Sequence, residues 1–169
     1  MALEFTAAGR SNSEANPEHW EYYDKDNDIT YTGEFERFAW SGADGWVESD
    51  AGETVLRLLP KNYFTIPFYP FKEDKRSTGY TIEIELETRD VANQDAVVLS
   101  CMSGGRGLQV NAQQVFFKSA LAETSMYFKE DERVRITIVV EASTQDRVIY
   151  MFINGIICAA TTYEENDSF

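Results

Sequence analysis

The amino-acid sequence predicts an all-β protein, an antiparallel two-sheet β-sandwich of jelly-roll topology. Three observations lead there. Two segments alternate apolar and polar residues at the period of two that a half-buried strand requires. An Asn-Gly pair separates two β-rich runs, and no window of helical period outlasts two turns.

The clearest strand covers residues 80–87, where Tyr80, Ile82, Ile84 and Leu86 alternate with Thr81, Glu83, Glu85 and Glu87. Residues 133–141 repeat the pattern, with Val134, Ile136, Ile138 and Val140 on one face and Arg133, Arg135 and Thr137 on the other. Both read as antiparallel strands with one face packed and one in water, and the two apolar sets are expected to form one layer. Residues 147–153 are apolar on both faces, turn at Asn154-Gly155 and return through residues 156–162, a hairpin signal. Weaker strand signals fall at residues 3–6, 35–40, 54–59, 63–68, 96–102, 108–111, 115–118 and 124–128. The first 31 residues are polar and irregular, and are expected to form an N-terminal arm packing on a sandwich of residues 32–169.

The chain's 169 residues carry 15 basic and 29 acidic side chains, a net charge of −14. That charge argues against nucleic acid and anionic membranes as partners, because such binding draws its affinity from Lys and Arg. Cys101 and Cys158 lie in apolar runs without metal-ligand spacing, and are expected to be buried free thiols. The N-terminus lacks a basic region followed by an apolar core, and no stretch approaches the ~20 apolar residues of a membrane span. The expectation is a chain made in the cytoplasm without a signal peptide, with no membrane insertion.

The succession GWVESDAGETVLRLL, GYTIEIELETRD, AVVLSCM, GGRGLQV and VIYMFINGIICAATTY resembles the laminin G-like branch of the concanavalin A-like lectin and glucanase superfamily. Together with the preceding GRSNSEANPEHW, it resembles laminin G-like domains in structural and tail proteins of gut bacteriophages. The resemblance covers residues 32 to 163 and implies a concanavalin A-like jelly roll whose sheet face or loop rim binds sugar or protein. It also implies a place in a virion after assembly, or in another surface protein. Because the fold hosts lectins, hydrolases and structural domains alike, the site residues decide among them.

Thirteen of the 23 aromatic residues fall between Trp20 and Phe71. Sugar rings present flat C–H faces that stack on aromatic rings, while Asp, Asn and Arg hold the hydroxyls. The segment from Phe38 to Trp46 has that character, so Trp40, Asp44 and Trp46, with Arg106 at a Gly-rich turn, are the expected ligand contacts. The competing reading of each aromatic is core packing. Asp24, Asp26 and Asp28 open like a calcium loop, since a hard cation takes several carboxylate oxygens. Ile29 stands where an EF-hand needs Gly, and Phe35 where it needs a bidentate Glu, so only a calcium site of another kind is considered. No other cofactor is implied.

Family 16 glycoside hydrolases of this superfamily carry E-x-D-x-E on one strand, and Glu83 and Glu87 occupy the two outer positions. Here Glu85 replaces the central Asp, and the family's flanking Trp is absent. The competing reading is a solvated acidic face laddered against Arg133 and Arg135. A non-catalytic, carbohydrate-binding recognition module ranks first, a protein–protein assembly domain of a virion protein second, and a hydrolase third.

Overall fold

The computed structural model describes residues 5–24, 28–36, 38, 43–58, 63–64, 79–89, 97–103, 106–118, 123–141 and 148–162. Among them there is no helix, and every paired strand is antiparallel. The chain divides into two compact units, residues 1–70 and 71–169. The expected division at residue 31 lies inside the first unit.

The second unit holds two four-stranded sheets. In the first, β6 (Tyr80–Leu86), β11 (Val134–Val140), β12 (Val148–Ile153) and β13 (Ile156–Thr162) lie in the order β13-β12-β11-β6. In the second, β7 (Val97–Ser103), β8 (Arg106–Asn111), β9 (Gln114–Lys118) and β10 (Glu123–Tyr127) form a meander. The register of β6 on β11 places Leu86 opposite Val134, Ile84 opposite Ile136 and Ile82 opposite Ile138, the single apolar layer that the alternation predicts. Leu108, Val110, Val115 and Phe117 of the meander join Ile136, Ile138, Ile149 and Met151 in one buried cluster, as in a β-sandwich.

The Asn154-Gly155 hairpin forms as expected, with φ of 51° and 78°, the left-handed pair of a two-residue type I′ turn. Asn154 also ties the turn to β11, because its backbone N–H donates to Arg135 O at 2.8 Å and its Oδ1 accepts from Arg135 N at 2.8 Å. Beyond the turn, Met151 pairs with Ala159 and Phe152 with Ile157, leaving Cys158 as the extra residue of a β-bulge. Cys158 is therefore free and exposed, which corrects the expected burial; apolar neighbours in sequence do not enclose a residue that a bulge lifts out of register. The side chain of Cys101 lies outside the described residues.

The first unit is built from β1 (His19–Asp24), β2 (Ile29–Glu36) and β5 (Tyr63–Phe64) in the order β1-β2-β5, and from the hairpin of β3 (Gly45–Glu48) with β4 (Thr54–Arg57). Residues 19–24, expected in an irregular arm, are thus a full strand. Their HWEYYD alternation carries it: Trp20 and Tyr22 face inward while His19, Glu21 and Tyr23 face outward. Phe35, Phe38 and Trp46 form the buried centre, with Trp20, Leu56 and Ala7 packed around them.

Candidate functional site

Of the expected ligand contacts, Trp46 and Asp44 are buried in the first unit. Trp46 is 4% exposed, edge-on to Trp20 at 5.4 Å between ring centres and tilted against Phe38 at 5.9 Å. Its indole N–H donates to Pro17 O at 2.7 Å, and the Arg10 guanidinium covers the ring at 4.5 Å. No face of Trp46 is left for a sugar, so this residue belongs to the core. Asp44 is 1% exposed, and its carbonyl accepts from Asn12 Nδ2 at 3.2 Å. Both lie in the first unit, whereas Arg106 lies in the second. Trp40 and the Arg106 side chain lie outside the described residues.

Of the aspartate run, Asp26 and the Asp24 side chain lie outside the described residues. Asp28 accepts a hydrogen bond from the Tyr23 hydroxyl at 2.6 Å. Among the described residues no cluster of three or more His, Cys, Asp or Glu side chains is arranged to hold a metal.

The acidic face of β6 is an ion-pair ladder. Glu85 pairs with Arg133 and, at 3.0 Å, with Arg135; Glu83 lies 3.9 Å from Arg135 and accepts from Thr137 Oγ1 at 3.4 Å; Glu87 pairs with Arg89. The hydrogen bond from Arg135 holds the Glu85 carboxyl below the ordinary carboxylate range, with Arg133 adding to the effect and partial desolvation opposing it. All three carboxylates thus have cationic partners, as the reading of a solvated, laddered face expects.

Among the described residues lies an open recess that the polar N-terminal text did not reveal. It encloses about 250 Å³ in the first unit and is lined by Arg10, Glu14, Ala15, Asn16, His19 and Glu21. Local hydrogen bonding fixes its wall. Glu14 folds back on Ser11 N at 2.5 Å and on Arg10 Nε at 3.0 Å, and Arg10 NH2 donates to His19 O at 2.6 Å. Arg10 is consequently held by a carboxylate, a carbonyl and the Trp46 ring together. On the strand side, His19 and Glu21 share the outward face of β1 with Tyr23, opposite Glu34, Thr32 and Thr30 of β2.

Tyr23 is 49% exposed, and its hydroxyl donates to Asp28, which tethers the tip of the side chain. That same bond, with a smaller contribution from desolvation, raises the pKa of its phenol. An exposed aromatic ring therefore lies in line with a recess of carboxylate, amide, imidazole and guanidinium groups. The sequence signal for this site was the alternation of HWEYYD, which sends one set of side chains into the core and the other to the surface.

No family model matches this chain, and neither a curated protein nor a solved structure does.

Proposed function

We propose that this chain is a non-catalytic, carbohydrate-binding recognition module, a laminin G-like jelly roll belonging to a phage virion or another surface protein. The observation that carries the reading is the recess beside Tyr23. Carbohydrate sites combine an exposed aromatic face, for the C–H surface of a sugar ring, with a few convergent polar groups for its hydroxyls. Tyr23 supplies the first, and Asn16, His19 and Glu21 supply the second.

A second reading, a structural domain making protein–protein contacts, is favoured by β13, the edge strand of its sheet among the described residues. Its seven residues IICAATT carry no charge, and Ile156 and Ile157 are 70% and 55% exposed. An edge with apolar side chains and no Lys or Pro is open to pairing with another chain.

A glycan-array screen of the purified chain, run with calcium and again with chelator, separates the two. The expected outcome is specific binding that Tyr23→Ala abolishes with the circular dichroism unchanged, and chelator sensitivity would add a metal. Arrays blank under both conditions would transfer the assignment to the assembly reading.

A further inference from the structure

Resting on the reading of the Tyr23 recess as a sugar site, we infer that its ligand is an amine-bearing saccharide, recognised as an ammonium cation by Glu21 and the Tyr23 ring. Two kinds of group on one strand face point to this chemistry. The first is carboxylate charge. Glu14 and Glu21 both line the recess, and Glu34 stands opposite His19 on the neighbouring strand. Arg10 neutralises Glu14. Glu21, by contrast, is partnered among the described residues by the Thr32 hydroxyl alone, at 3.5 Å. A hydroxyl satisfies one lone pair and, among the described residues, leaves the charge without a cationic partner, so an arriving cation gains where an anion is repelled.

The second group is the aromatic ring. Tyr23 is two residues from Glu21 on the same face, a separation of about 7 Å along a strand. Its π-face attracts an ammonium as well as C–H groups, and Asp28, hydrogen-bonded to its hydroxyl, adds negative charge behind it. A uronic or sulfated sugar meets the opposite field, from the local carboxylates and from a chain of net charge −14.

The test compares cationic, neutral and anionic saccharides. Calorimetric titration at low ionic strength is run with a tetramer of β-1,4-glucosamine, its fully N-acetylated counterpart, the neutral glucose tetramer and an oligogalacturonate. The expected result is binding of the free-amine tetramer about fivefold tighter than its acetylated twin, a preference of the size that one exposed charge pair supplies and that salt weakens. Glu21→Gln is expected to abolish the preference. Glu132→Gln, which makes the same change in net charge in the second unit, is expected to leave it intact. Equal affinity for the two tetramers, or an equal effect of both variants, overturns the inference while leaving the sugar site standing. Failure of all four saccharides to bind, with a blank array, overturns the site and the inference together.

Discussion

Gly45 shows how one residue can decide whether the aromatic centre of the first unit assembles. Its φ is +86°, a region that L side chains occupy only at a cost, and Asn12 holds the peptides on both sides. Asn12 Oδ1 accepts from Trp46 N at 2.8 Å, and its Nδ2 donates to Asp44 O at 3.2 Å. A Cβ built on Gly45 would run into Asn12 Oδ1 and lie 2.9 Å from Phe38 Cζ. Gly45→Ala therefore strains the backbone and pushes against two groups that anchor the centre. It is expected to cost about 2 kcal/mol, read as a lowered urea midpoint of the first unit's unfolding. An unchanged midpoint would show that the Asn12 clamp relaxes freely. At this scale the sequence offered little warning, because a Gly in a Gly- and Ser-rich stretch looks like any other turn residue. Only the fold reveals that it supports Trp46.

At the scale of the element, the strands with long apolar faces were legible and the short or largely polar ones were not. β6 and β11 carry long regular apolar faces, so their shared packed layer follows from period, and the ladder of Glu83 and Glu85 with Arg133 and Arg135 from charge once the strands are neighbours; the register itself is supplied by the fold. The Asn154-Gly155 turn was equally readable, since few residue pairs adopt two positive φ values in succession. β1 escaped because its polar outward residues sit in a polar neighbourhood, and the recess escaped with it. β3 escaped because it opens on Gly45 and is only four residues long.

The ladder also yields a pH dependence. The Glu85 carboxyl titrates below its ordinary value near 4.5 in the folded chain, first because Arg135 donates to it and then because Arg133 adds positive charge. A group with a depressed folded pKa contributes stability above its unfolded pKa and loses it as the pH falls through the folded value. The native chain is thus expected to be more stable than Glu85→Gln at pH 7, by a modest amount because the pair is partly exposed. The two urea midpoints should converge as the pH falls below about 4.5, and a difference that persists in acid would assign the effect to packing.

For the whole molecule, the decisive feature is that its two compact units have separate buried clusters. Every residue of the larger cluster, from Leu108 to Met151, and every half-buried residue packed on it falls within residues 71–169. Phe35, Phe38 and Trp46, with the residues around them, fall within residues 1–70. A body with its own core and its own hydrogen-bonded sheets meets the physical criterion for folding alone. Expressed as residues 71–169, the larger unit is therefore expected to keep a β-type far-ultraviolet spectrum and to unfold cooperatively in urea. Its midpoint should match one of two transitions in the full chain, the other being the one that Gly45→Ala lowers. The smaller unit, at a size where a core is marginal, should be the weaker of the two. A fragment that is unfolded at neutral pH, or a full chain with one transition that Gly45→Ala shifts as a whole, would mean that the separate clusters are thermodynamically one domain. The recess beside Tyr23 would then depend on the sandwich for its stability, and a sugar bound there would raise the midpoint of the whole chain instead of one transition.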